Sequence, residues 1–210
     1  MGTTNDYKNR ALASLNSRWT TPVLCTLVYY LIFLAIGAVT NSLNEDIAES
    51  TISILFYIAA IPLAWSLSVL FLDLIRGEQV SVSSIFRGYK KPWWSKSLLI
   101  PLLVGVYTFL WTMLFIIPGF IKSYSYAMTH FVYRDNQEMG CDAAIEESMR
   151  LMDGHKMDLF ILDLSFLGWL LLSILSLGIG LIWLVPYMQS AHAHFYEDLV
   201  RERGTSVQQI

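Results

Sequence analysis

The chain has 210 residues, of which 55% are hydrophobic and only 15% are charged, and its mean hydropathy is +0.49. A soluble domain of this length would expose too much apolar surface, so the composition excludes an ordinary water-soluble globular protein. The formal net charge is −3, but acidic and basic residues concentrate in different loops, and that distribution reports on orientation in a membrane. We therefore expect one all-α domain, residues 1–210, folded as a polytopic membrane helix bundle.

The first predicted element is a short amphipathic helix over residues 6–18. Tyr7, Ala11 and Leu15 recur at helical spacing, and the basic residues of the segment occupy other faces. A basic helix with an aromatic anchor is typical of the cytosolic membrane interface. A solvated leader helix is the alternative interpretation.

Apolar runs long enough to cross a bilayer recur along the rest of the chain. A shorter, more polar run after Pro118-Gly119 still keeps a helical apolar stripe, and this pair predicts a tight turn at the outer face. A four-helix topology, with 119–156 outside and 157–199 as a single helix, is the alternative. We favour about six membrane helices, at 21–39, 51–72, 97–117, 119–134, 157–175 and 179–199.

Loop charge predicts the orientation of these helices. The acidic stretch 40–51 contains no Lys or Arg, whereas the connection 76–96 is the most basic segment of the chain. The positive-inside rule places the basic connection and both termini in the cytosol. The second cytosolic connection, 135–156, contains a predicted amphipathic surface helix.

Asp163 is the clearest candidate functional residue, because an ionisable group at membrane depth is costly unless it is paired or hydrated. His130, His192, His194 and Tyr126 are predicted at the same depth. Such a cluster could form a proton relay, a cation site or a headgroup pocket, or it could simply fix helix packing. His192 and His194 diverge on a helix, so no metal site is predicted.

The sequence contains no nucleotide-binding glycine loop, GxSxG elbow or HExxH motif. No catalytic residue and no cofactor is therefore predicted, and the balance is against an enzyme. The basic connection adjoins the membrane, so anionic lipid rather than nucleic acid is its expected partner.

Three blocks of sequence resemble a bacterial family of multi-pass integral membrane proteins catalogued as a domain of unknown function. The blocks are WTMLFIIPGFIKSYSYAMTHFVYRDN, AIEESMRLMDGHKMDLFILDLSFLGWLL and LGIGLIWLVPYMQSAHAHFYEDL. The resemblance implies a location in the bacterial cytoplasmic membrane. The layout also resembles, less closely, the membrane portion of some glycerophosphodiester phosphodiesterases, whose soluble catalytic domain has no counterpart in these residues.

Two functions are consistent with these features. The first is a non-enzymatic membrane scaffold, assembly partner or lipid-interacting accessory module, with membrane lipids and a membrane or cytosolic protein as partners. The alternative is a small transporter or channel that uses the cluster around Asp163. A lipid enzyme is a third hypothesis, supported only by that same cluster.

Overall fold

Helices are the only regular secondary structure in the parts of the chain that the computed structural model describes, residues 1–16, 18–42 and 47–207. The predicted all-α class is confirmed for these ranges. In chain order the helices are α1 (Thr4–Leu15), α2 (Thr20–Asn41), α3 (Ile47–Ile75), a 3₁₀ helix (Val82–Tyr89), α4 (Trp94–Leu114), α5 (Ile116–Tyr126), α6 (Thr129–Asp135), α7 (Cys141–Leu151), α8 (Lys156–Leu164), α9 (Leu167–Leu175) and α10 (Leu181–Val207).

Four helical stretches within the described ranges are long and apolar enough to cross a membrane. They agree, to within a few residues at each end, with four of the predicted spans. This set of helices indicates a membrane protein. The stretches are Thr20–Asn41, Thr51–Ile75, Trp94–Leu114 and Lys156–Leu175, the last of which joins α8 and α9.

The other two predicted membrane helices differ from what the structure shows. Residues 119–134 are divided between α5 and α6 by a break at Ala127-Met128. The predicted helix 179–199 is the start of α10, whose second half is rich in polar and charged residues. Neither element joins the four candidate spans. Part of the predicted acidic loop, residues 43–46, lies outside the described residues.

The chain reverses between α4 and α5 at Phe115, not at the predicted turn of Pro118 and Gly119. Phe115 is extended, with φ −156° and ψ 139°, whereas Pro118 and Gly119 lie in the first turn of α5. Proline fits there because the first N–H groups of a helix have no intrahelical partner. A Cβ on Gly119 would approach Cα of Thr112 to 2.7 Å, so glycine is what allows α5 to fold back on α4.

The α1 helix packs along α10. The predicted stripe of Tyr7, Ala11 and Leu15 is fully buried. An ion pair between Arg10 and Asp198, at 2.8 Å, adds to this contact. The amphipathic pattern therefore predicted the helix correctly, but the apolar face is covered by protein.

Proline and glycine also determine how α3 packs against the 3₁₀ helix. Pro62 lies inside α3, and the Ser66 hydroxyl one turn later donates to the Pro62 carbonyl at 2.7 Å. Gly88 brings its backbone N–H to within 2.8 Å of the same hydroxyl. A Cβ at this glycine would come within 2.7 Å of the Pro62 carbonyl oxygen, so glycine is what allows the 3₁₀ helix to pack against α3 at the proline.

The larger buried core draws on most of the helices, whereas three groups of helices carry mainly exposed apolar residues. This core contains residues of α1, α3, α4, α6, α7, α8 and α10, among them Trp65, Tyr133 and Phe195, and a smaller one lies between α2, α3 and the 3₁₀ helix. We define the apolar arms as α2 with the first half of α3, α4 with the start of α5, and α9 with the start of α10. Large hydrophobic side chains are exposed along all three arms.

Candidate functional site

Asp163 forms a polar contact with residues from two other helices. Its Oδ1 lies 2.6 Å from Nε2 of His192 on α10, and the hydroxyl of Tyr124 on α5 donates to its Oδ2 at 3.1 Å. All three side chains are partly buried, so the carboxylate keeps some access to its surroundings. The contact can hold a proton between carboxylate and imidazole, and it also ties α5, α8 and α10 together.

The other residues of the predicted cluster have different neighbours. Nε2 of His194 lies 2.7 Å from the hydroxyl of Ser14 on α1. Tyr126 packs against the ring of Tyr107, with 6.5 Å between centroids. The Nδ1 atom of His130 is buried without a hydrogen-bond partner among the described residues. Positions two apart on a helix point about 200° apart, which explains why the contact uses His192 without His194.

The backbone is interrupted close to Asp163. The α8 helix ends at Leu164 and α9 begins at Leu167, so carbonyl groups at the end of α8 lose their helical partners. Lys8 of α1 donates to the Ser165 carbonyl at 3.2 Å, and its ammonium lies 4.8 Å from the centre of the Phe166 ring. The break is thus capped by a cation from the N-terminal helix.

A larger ion-pair network, which we call the basal network, lies where α3, the 3₁₀ helix, α6 and α10 meet. Its centre is Asp73, which is fully buried and paired with both Arg87 and Arg134. Arg134 also binds Glu78 at 2.7 Å. Buried carboxylates are rare unless they are paired, so this arrangement determines how the basic connection 76–96 folds back on α3.

The second half of the basal network is built on Arg76. Its guanidinium binds Asp135 at 2.5 Å and Glu197 at 2.6 Å, and the hydroxyl of Tyr196 donates to Asp135 at 2.9 Å. The hydrogen bonds that Arg76 donates to Asp135 are the main reason that the pKa of Arg76 is raised. Arg76 follows Asp73 by only three positions, yet its ion-pair partners Asp135 and Glu197 lie far away in the chain.

The chain matches a family model over most of its length. The model is described as "Protein of unknown function (DUF975)", and it matches residues 1–122 and 113–203. The chain belongs to this family. The predicted resemblance to a bacterial family of unknown function is thereby confirmed, whereas the likeness to glycerophosphodiester phosphodiesterases finds no support in it.

The family match covers both the basal network and the Asp163–His192 contact. No curated protein and no solved structure matches the chain. In the ranges that the structure describes, no group of three or more His, Cys, Asp or Glu residues is placed to hold a metal ion. A functional assignment must therefore come from the arrangement of the helices and their surfaces.

Proposed function

We propose that this DUF975 member is a multi-pass protein of the bacterial cytoplasmic membrane that acts as a non-enzymatic scaffold, assembly partner or lipid-interacting accessory module. The observation that carries the proposal is how little three of the four candidate spans pack within the chain. In an apolar stretch of 18 residues within each span, the buried share is 17% for Thr20–Asn41, 11% for Trp94–Leu114 and 22% for Lys156–Leu175. The corresponding share for Thr51–Ile75 is 50%. Their free sides are available to lipid and to helices of other proteins.

The proposed topology has six membrane passages with both termini in the cytosol. In support, Lys96 at the start of α4 donates to the carbonyls of Gln137 and Met139, at 2.9 and 2.8 Å. The connection that follows α6 therefore lies at the same end of the α4–α5–α6 hairpin as the basic connection 76–96. Loop charge favours the cytosol for that end.

Photo-crosslinking in intact cells tests the scaffold proposal. A photoreactive amino acid is placed at Phe109, which is exposed on the outer side of α4, and at the less exposed Leu103 on the same helix as a control. A discrete protein adduct is expected at Phe109 and a much weaker one at Leu103. A chain that remains solitary when probed at Phe109 and on the other two apolar arms would contradict a scaffold or assembly role.

A second candidate function is a small transporter or channel, which the 2.6 Å contact between Asp163 and His192 beside a broken helix favours. In proteoliposomes that show an ion or proton flux, Asp163→Asn should abolish it. Asp158→Asn, at a more exposed position of the same helix, is the matched control. Absence of flux from the unmodified protein, or unchanged flux in Asp163→Asn, would eliminate this candidate.

A further inference from the structure

A cavity of about 470 Å³ lies between α1, the linker to α2, α9 and the start of α10. We call it the tryptophan pocket, because three indole rings contribute to its wall. Its volume is within the usual range for small-molecule sites. The lining residues used below are Leu12, Trp19, Trp169, Leu172, Trp183 and Tyr187.

The tryptophan pocket is almost entirely apolar. Ser173 also lines it, but its hydroxyl already donates to the Trp169 carbonyl at 2.8 Å. The remaining polar groups of the wall are indole N–H groups and the phenol of Tyr187. A ligand that filled this space with unpaired polar groups would lose hydration without replacement. The pocket therefore suits a hydrocarbon chain.

The surroundings of the pocket indicate where such a chain comes from. Trp169 and Leu172 are 56% and 59% exposed, and they belong to the candidate span Lys156–Leu175. Neighbouring exposed residues on this apolar arm, such as Leu171 and Leu175, are also hydrophobic. In a bilayer this surface faces acyl chains, and an apolar cavity is a poor site for water. Lipid is thus the hydrocarbon in direct reach of the pocket.

The linker between α1 and α2 carries a cation directly before a residue of the pocket wall. Trp19 lines the tryptophan pocket, whereas its sequence neighbours Arg18 and Thr20 line a second, more polar cavity of about 520 Å³, to which Glu78 also contributes. Lys8 is engaged by the Ser165 carbonyl and Arg10 by Asp198. Arg18 is exposed and forms no ion pair with any residue the structure describes. Its guanidinium can bind a phosphate oxygen of a neighbouring lipid.

We infer that the chain binds an anionic phospholipid, with an acyl chain in the tryptophan pocket and the phosphate on Arg18. Tryptophan is enriched at the level of lipid headgroups, in agreement with a chain that enters beside Trp19. Gly180 and Tyr187 both line the pocket, and seven residues of helix separate them by about 10 Å. The pocket therefore accommodates part of an acyl chain along α10. This inference rests on the membrane placement in the proposed function.

Native mass spectrometry of the full chain, purified in detergent and exchanged with phosphatidylglycerol or phosphatidylcholine, tests this site. Leu172→Trp fills the cavity, and Leu171→Trp adds the same ring on the adjacent lipid-facing position as a control. The wild-type chain and Leu171→Trp should retain one phosphatidylglycerol. Leu172→Trp should reduce its occupancy at least about tenfold, because the added ring occupies the volume of the acyl chain. Leu12→Trp fills the pocket from the opposite wall, so the test does not depend on the folding of a single variant.

Arg18→Gln tests the headgroup contact separately. We expect the preference for phosphatidylglycerol over phosphatidylcholine to fall about fivefold, the typical contribution of one basic residue near an anionic membrane. Retention of lipid by both pocket-filling variants would overturn the acyl site, and an unchanged preference in Arg18→Gln would overturn the phosphate contact. These results are independent of crosslinking at Phe109, so the failure of the lipid site and the failure of the scaffold role can be told apart.

Discussion

Removing the charge of Asp73 should destabilise the protein more than removing the charge of an exposed carboxylate. Asp73 is fully buried, whereas Arg87 and Arg134 are 24% and 19% exposed. Breaking a buried ion pair by neutralising one partner costs about 3–5 kcal/mol. We expect the lower end for Asp73→Asn, about 3 kcal/mol, because both arginines keep some contact with solvent. For a chain of this size, that corresponds to a fall in Tm of about 6–12 °C.

Thermal unfolding in detergent micelles, followed by tryptophan fluorescence, measures this effect. Asp158→Asn is the matched control, because Asp158 is 52% exposed and pairs with His155 on the surface. That change should cost at most about 1 kcal/mol. The double variant Asp73→Asn with Arg87→Gln should recover part of the loss, since it removes one unpaired guanidinium. A Tm for Asp73→Asn within about 2 °C of the control would refute the reasoning.

Three further predictions concern the hairpins and the connection after α6. Gly119→Ala should lower the free energy of unfolding by about 1–3 kcal/mol in thermal unfolding, because the new Cβ would come within 2.7 Å of the α4 backbone. Gly105→Ala is the control and should not destabilise the protein, because no atom lies within 4 Å of its Cβ position. In a chain without native cysteines, a cysteine at position 136 should label only from the cytosol and one at position 178 only from outside; the reverse would contradict six passages. Burial raises the pKa of the Cys141 thiol, so this thiol should react slowly with maleimide at pH 7. The labelling rate should rise about tenfold per pH unit below that pKa, and a rate independent of pH would contradict the prediction.

The long helices were predictable because their signal is local. An uninterrupted apolar run such as 21–39 predicts a helix directly, and the structure extends it only to Thr20–Asn41. Short elements were harder, since their ends depend on packing. The chain turns at Phe115, three residues before the predicted turn at Pro118. Pro118 and Gly119 are both compatible with the first turn of a helix, and they lie there in α5.

The candidate site was predictable as a set of residue types but not as a geometry. The expected cost of an ionisable group at membrane depth drew attention to Asp163, and the structure pairs this residue with His192 and Tyr124. Sequence could not choose between His192 and His194, because the rotation of α10 about its axis decides which ring points toward α8. It also chose Tyr126, where the structure uses Tyr124.

The sequence by itself determined the helical class, the membrane character and the positions of the main apolar runs, since each depends on residues close together in the chain. Only the tertiary structure decided which surfaces and charges meet. The apolar stripe of α1 is buried against α10, and Arg76 reaches Glu197 across 121 positions of sequence. Such contacts have no local signature, because the sequence around a charged residue does not show whether that residue is exposed or is paired with a distant partner. The basal network therefore emerges only when α3, α6 and α10 converge on one end of the fold.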